Sequence, residues 1–282
     1  MGIMDLFKKK ASDDSTKEVV ENIEMGSRKE NEKSFQGVAP ENLGKLDMVI
    51  AFDTTGSMAS YIGAVRKEVS ELVPRLFKDN EDLRLGIVAF GDYCDMVNAK
   101  EFGNAYQCLM PTNNENAIIK FINESKDTSG GDGDEFYELV IKKVVDETPW
   151  REGATKVLLL ISDACPHPLE YTYNDYVVGN QIDWRKEAAK AASMGIKIDT
   201  VSITGEPWYK ELSDMTNGIS TLFQSSCKTA RLVEAATLAR GSKSSREMFD
   251  SISCCCKASS SVDKEMEEVY EKYKKVRDSM DF

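Results

Sequence analysis

The chain reads as an α/β protein in which a mostly parallel sheet is covered by helices on both faces, with an extension at each end. Three observations predict this. Apolar runs of strand length alternate with amphipathic runs of helix length across residues 45–240. The strand runs are continuously apolar instead of alternating, as strands buried on both faces require. The chain has 282 residues, 41% hydrophobic and 30% charged, which suits one sizeable soluble domain with additions.

The elements follow in order. Leu46–Phe52 (LDMVIAF) is the first buried strand. Tyr61–Phe77 places Ile62, Val65, Val69, Leu72, Val73 and Leu76 on one helical stripe, and Leu83–Phe90 is the second strand. The segment Tyr93–Met110 has weaker patterning and offers an antiparallel edge strand. Helices are expected over Asn114–Asn123 and Glu135–Asp146, then the strongest strand at Lys156–Ser162 (KVLLLIS). Trp184–Met194 is a helix, Ile196–Ile203 a strand, Trp208–Thr216 a helix, Thr221–Gln224 a short strand and Lys228–Ala239 a last helix.

The ends differ in character. Residues 1–44 form a polar extension with one short helical possibility, Val19–Met25. Residues 241–262 read as a Ser-, Lys- and Cys-rich linker. In residues 263–282, Met266, Val269, Tyr270, Tyr273, Val276 and Met280 form an amphipathic stripe, supported by Glu268/Lys272 and Glu271/Lys275 pairs. A single such helix must bury its stripe on the domain, a second copy or a partner, and the domain is the simplest choice.

Bulk properties exclude several classes. A net charge of −12 argues against a general nucleic-acid binder, which needs clustered Lys and Arg. No apolar stretch is long enough to span a bilayer, and Met1–Lys10 is too poor in apolar residues for a secretory signal. Gly2 lacks the hydroxyl residue that myristoylation wants, because position 6 is Leu6. The seven cysteines are odd in number, with Cys254, Cys255 and Cys256 adjacent, and no CxxC pair exists for zinc. The triplet is read as an exposed, reduced segment rather than an acylated or soft-metal one. A reducing, cytoplasmic location is the expectation.

Three polar loops carry the candidate chemistry, because ligands of open α/β sheets bind beyond the carboxyl ends of the strands. These are Asp53-Thr54-Thr55-Gly56-Ser57, Ser129-Gly130-Gly131-Asp132-Gly133-Asp134-Glu135 and Ser162-Asp163-Ala164. All offer hard oxygen ligands, which suit Mg²⁺, Mn²⁺ or Ca²⁺. Asp53, Thr55 and Ser57 alternate where a strand turns into a helix, so their side chains can face one point. Gly56 permits the tight turn, and Ser57 is a good type to cap the helix that follows.

The block Asp53-Thr54-Thr55-Gly56-Ser57-Met58 resembles the DxSxS signature of von Willebrand factor A (VWA) domains, often written DxTGSM. RLGIVAFGDY (Arg84–Tyr93), SGGDGDE (Ser129–Glu135), KVLLLISDACPH (Lys156–His167) and WRKEAAKAASMGIKIDTVSI (Trp184–Ile203) follow in family order. They are similar to the branch found beside atypical alpha-kinases and in many microbial proteins. The resemblance covers residues 45–240 and implies a doubly wound, Rossmann-like sheet with a metal-ion-dependent adhesion site (MIDAS). It further implies a non-enzymatic, protein-binding module in which Asp53, Thr55, Ser57 and Asp163 hold Mg²⁺, or Mn²⁺ or Ca²⁺. An acidic residue of the protein partner would fill the open coordination position. Asp132 departs from the threonine of integrin-like members, and meets the ion directly or through water; on its own it also suits turn chemistry.

Other residues were weighed against plainer roles. Asp134 and Glu135 are expected at a helix N-terminus, where negative charge is favourable. His167, the only histidine, invites a Ser57/His167/Asp163 triad, but Ala59 stands where the nucleophile elbow needs its last glycine. It is expected on the surface of a Pro-flanked loop. Trp150, Trp184 and Trp208 are expected in the core or at its edge, while Tyr171, Tyr173 and Tyr176 are candidates for a partner-binding rim. The enzymatic rival is a haloacid-dehalogenase-like phosphotransferase with Asp53 as nucleophile, but no second acid follows Asp163 and SGGDGDE has no role in it. A scaffold with a purely structural metal is the remaining alternative.

Overall fold

The computed structural model describes residues 44–222, 229–255 and 261–279. The expected helix at Val19–Met25 and the remainder of the N-terminal extension lie outside them, as do Gln224, Lys228, Cys256 and Met280.

Eight strands are present among the described residues: β1 (Leu46–Asp53), β2 (Leu83–Phe90), β3 (Tyr106–Thr112), β4 (Asp134–Glu135), β5 (Thr155–Ser162), β6 (Cys165–Pro166), β7 (Ile196–Ser202) and β8 (Ser220–Leu222). The helices are α1 (Ala59–Asp79), α2 (Glu115–Glu124), α3 (Tyr137–Glu147), α4 (Trp184–Ser193), α5 (Pro207–Met215), α6 (Thr229–Leu238), α7 (Lys243–Cys255) and α8 (Ser261–Ser279). Six strands form one sheet in the order β3-β2-β1-β5-β7-β8. All neighbours are parallel except β2 and β3, so the weakly patterned segment does supply an antiparallel edge.

The strand order reverses at β1. The chain moves outward through β2 and β3, then returns to the other side of β1 as β5. A crevice therefore opens beyond the carboxyl ends of β1 and β5, where their loops diverge. Asp53 ends β1 and Asp163 follows β5, so the topology brings the first and third polar loops together.

Every residue of β1 is buried, and its side chains alternate between two cores. Met48, Ile50 and Phe52 join α1, α2, α6 and α8 on one face. Val49 and Ala51 join α3, α4 and α5 on the other. This double burial explains the unbroken apolar run. Asp47 is the polar exception, and it is satisfied by Arg84 Nε (2.9 Å), Arg84 Nη2 (2.6 Å), Arg151 Nε (2.8 Å) and Arg151 N (2.8 Å).

Residues 243–255, read from composition as linker, form helix α7, which buries Phe249 against Tyr270 of α8. Serine-rich composition concealed it because few apolar residues are needed when one ring does the anchoring. The amphipathic stripe of α8 packs on the domain, with Met266, Val269, Tyr270 and Tyr273 all buried. Trp184 and Trp208 are buried and Trp150 is half-buried.

Candidate functional site

Asp53 lies fully buried at the end of β1. Its Oδ1 accepts hydrogen bonds from Thr55 N (2.8 Å) and Thr55 Oγ1 (2.7 Å). The Thr55 hydroxyl also lies 3.2 Å from that of exposed Ser57, and Ser57 and Asp163 line the same groove. A run of oxygens thus links Asp53, Thr55 and Ser57 and faces Asp163. The expected capping role of Ser57 is absent: Gly56–Met58 is a single 3-10 turn, α1 starts at Ala59, and neither turn nor helix has a side-chain cap. The Thr55 hydroxyl is committed to Asp53 and to the Ser57 hydroxyl instead.

The second loop is pressed against the first by backbone contacts. Gly56 N donates to Ser129 O at 3.2 Å, and Thr128 N donates to Thr54 O at 3.0 Å. Asp95 clamps the loop from the other side, accepting from Ser129 N (2.8 Å) and Gly130 N (3.1 Å). Gly130 adopts φ +69°, and a Cβ there would come within 2.8 Å of Glu135 Oε1 and 3.3 Å of Thr55 Cβ. Both the conformation and the closeness require glycine.

Asp134 and Glu135 do not sit at a helix N-terminus. They form β4, which pairs in parallel with Cys165-Pro166 of β6, and Phe136 precedes α3. This two-residue pairing ties the second loop to the third and leaves Glu135 only 3% exposed, with its Oε1 beside Gly130. Glu135 is a site residue that the spacing did not single out. A groove of about 440 Å³ at this end of the sheet is lined by Ser57, Asp132, Glu135, Asp163, Thr204 and Glu206 among others.

A second unanticipated residue is Tyr137 of α3, whose hydroxyl donates to Asp53 Oδ2 at 2.6 Å and accepts from Ala164 N at 3.1 Å. Its ring stacks on Trp208, and Trp208 Nε1 and the Tyr209 hydroxyl both donate to Ala164 O, at 2.9 and 2.8 Å. The residue after Asp163 is therefore held on both its backbone groups.

The electrostatics are those of crowded acids. Burial raises Asp53 to about 6, against the lowering effect of the Tyr137 and Thr55 hydrogen bonds. Burial, then the charges of Asp53 and Asp92, push Glu135 up to about 10. Asp163 is raised by burial. Asp163 Oδ1 and Glu135 Oε2 are buried and accept no hydrogen bond. An all-oxygen donor set with orphaned carboxylate oxygens fits a hard divalent cation. Both carboxylate oxygens of Asp53 are covered, Oδ1 by the Thr55 hydroxyl and Oδ2 by the Tyr137 hydroxyl.

His167 is not a surface residue. It is 5% exposed, its Nε2 lies 2.7 Å from Asp92 Oδ1, and its ring stacks at 3.8 Å on Tyr171. Asp92, not Asp163, is its partner, so the Ser57/His167/Asp163 triad does not form. No sequence pattern links residues 92 and 167, whose separation is 75. Asp132, exposed, borders the groove and also brings its carboxylate within 4.8 Å of Asp92 and His167. Tyr171 and Tyr176 stack with Tyr93, whereas Tyr173 stands 91% exposed against the edge of Tyr171.

Comparison with known proteins agrees with this fold. The family model of the von Willebrand factor type A domain matches residues 47–235. Among solved structures, the chain is similar to the pilus adhesin SpaC from Lactobacillus rhamnosus GG in its open conformation, with TM-score 0.50 and 14% identity. The likeness covers 70% of this chain and 30% of the adhesin, so the chain spans under a third of that protein's length. No curated protein matches the chain.

Proposed function

Because the chain belongs to the von Willebrand factor type A domain family, we propose that it is a non-catalytic protein-binding module whose grip on its partner depends on a divalent cation. Mg²⁺, or Mn²⁺ or Ca²⁺, is held by Asp53, Thr55, Ser57 and Asp163, with Asp132 facing it from the groove rim. The observation that carries this reading is the run of hydrogen-bonded oxygens from Asp53 through Thr55 to Ser57, which faces a groove shared with Asp163, whose Oδ1 is buried without a partner. The ion supplies positive charge that compensates these acids and leaves a coordination position toward the groove. An acidic side chain of the partner occupies that position.

The chain's own residues set the conditions for this contact. Thr55 and Tyr137 hold both oxygens of Asp53, and Ala164 is fixed by Tyr137, Trp208 and Tyr209, so the ligands stand in place before the ion arrives. Exposed Tyr173 offers an aromatic contact, with Tyr171 and Tyr176 packed behind it as the body of the rim. Cys94, Cys108 and Cys165 are free, which favours a reducing, cytoplasmic setting. No described helix is long and apolar enough to cross a membrane.

Calorimetric titration of Mg²⁺ into chelator-treated protein tests the proposal, with Asp53→Ala alongside and an acidic peptide added after the ion. One saturable site absent from the folded variant, and peptide binding only when Mg²⁺ is present, are expected. A folded wild type that takes up no ion, or binds the peptide equally well with chelator, overturns the reading. Unfolding on chelation assigns the metal a purely structural role.

A further inference from the structure

Beside the groove, three potential ligands converge from three different loops. Asp92 follows β2, Asp132 lies in the second loop and His167 follows β6. One ligand atom from each lies within 4.8 Å of the others. Asp92 is fully buried and His167 is 5% exposed, yet each keeps an unpartnered atom: Asp92 Oδ2 and His167 Nδ1 accept or donate no hydrogen bond. A Cβ on Gly131 would stand 3.9 Å from Asp92 Oδ2, so this free oxygen faces the loop that carries Asp132. Buried carboxylate oxygens are rarely left unsatisfied without a reason.

We propose that Asp92, His167 and Asp132 form a second cation site, which takes a first-row transition-metal ion such as Zn²⁺ or Co²⁺. The imidazole sets the preference. Mg²⁺ favours an all-oxygen, octahedral shell, whereas a nitrogen ligand with two carboxylates suits transition metals. Ligands at about 2.0–2.2 Å from the ion sit closer together than the present spread. Exposed Asp132, whose Oδ1 accepts from Asp134 N at 3.0 Å, would shift to close that difference, while Asp92 and His167 are buried. His167 Nε2, now 2.7 Å from Asp92 Oδ1, turns from hydrogen-bonding to coordination as the ring proton moves to Nδ1. Glu138 fixes the His167 backbone: its Oε2 accepts from His167 N at 3.2 Å, and its other oxygen is held by the Tyr93 hydroxyl at 2.6 Å. The stacked Tyr171 ring restricts rotation of the imidazole.

The site shares only Asp132 and its loop with the proposed Mg²⁺ site, so the two ions are neighbours and separately testable. Co²⁺ is added to the full-length protein saturated with Mg²⁺, and visible absorption is read together with calorimetry. One Co²⁺ per chain is expected, with a d–d band and no sulfur-to-cobalt charge-transfer band, because the ligands are nitrogen and oxygen. His167→Gln and Asp132→Asn should each weaken uptake by about 10–100-fold. Asp132 is exposed, so its variant keeps the fold even if His167→Gln does not. Asp53→Ala should leave Co²⁺ uptake unchanged. A thiolate band, uptake that survives Asp132→Asn undiminished, no uptake at all, or uptake lost with Asp53→Ala would each overturn the proposal.

Discussion

Tyr137 donates its hydroxyl to Asp53 Oδ2 at 2.6 Å across 84 residues of sequence, which ties helix α3 to the end of β1 at the heart of the candidate site. The bond fixes the rotamer of a carboxylate that no solvent reaches. Tyr137→Phe keeps the buried ring and its stacking on Trp208 but removes this donor and the acceptor of Ala164 N. We expect a loss of about 1–2 kcal/mol in urea unfolding. Mg²⁺ affinity should fall about tenfold or more in calorimetry, as for other groups that orient a metal ligand. An unchanged affinity would mean that Thr55 alone orients Asp53.

Gly130 offers a test of the loop that presses on Thr55. Gly130→Ala places a Cβ at φ +69° and 2.8 Å from Glu135 Oε1. Left-handed backbone costs a non-glycine residue about 1–2 kcal/mol, before any shift of Glu135. Thermal unfolding should report that loss, and the Mg²⁺ titration should weaken as Thr55 is displaced. A variant as stable and as tight as wild type would show that the loop has room to relax.

Asp47 provides a pH dependence remote from either cation site. Burial raises its pKa, but hydrogen bonds from Arg84 and Arg151 outweigh that and hold it below the ordinary value of 3.8. A lowered folded value means that the ionised form stabilises the fold above that ordinary value, and that the contribution is lost as pH falls through the folded value. Stability curves of wild type should therefore drop below about pH 4. Asp47→Asn should lose about 2–3 kcal/mol at pH 7, because two partly buried guanidinium groups lose their counter-charge. Its acid limb should be correspondingly flatter.

The course of the sheet is legible in the sequence because β1, β2 and β5 are buried on both faces and so carry long apolar runs, interrupted only by residues such as Asp47 and Arg84. The first loop was equally legible, since Asp53, Thr55 and Ser57 alternate within one segment and their convergence needs no knowledge of the rest of the chain. Residues that join the site through pairing were not. Tyr137 looks like any apolar-stripe residue of α3, and nothing local announces Asp53 as its acceptor. Glu135 was read as a helix-start acid because the two-residue pairing of β4 with β6 leaves no periodicity. His167 was placed on the surface for the same reason: its burial comes from Asp92, Glu138 and Tyr171, each contributed by a different part of the chain.

The C-terminal helix can be tested through one buried carboxylate. Asp199 of β7 accepts from Arg240 Nη1 (2.5 Å) and Nη2 (2.8 Å), from the Tyr273 hydroxyl of α8 (3.0 Å) and from Ile219 N (2.9 Å). Asp199, Arg240 and Tyr273 are each almost wholly buried, so water cannot replace any of these partners. Arg240→Met leaves Asp199 without a counter-charge and should cost about 3–5 kcal/mol in denaturant unfolding. Asp199→Asn combined with Arg240→Met removes both charges and should recover part of that loss, as the double-mutant cycle requires of residues in contact. Tyr273→Phe deletes one donor while keeping its ring against the sheet, and should cost about 1 kcal/mol. Additive losses for Asp199 and Arg240 would show that the ion pair is incidental. A recovery in the double variant would identify the pair as the joint that ties the turn after α6 to β7, where Tyr273 of α8 also docks.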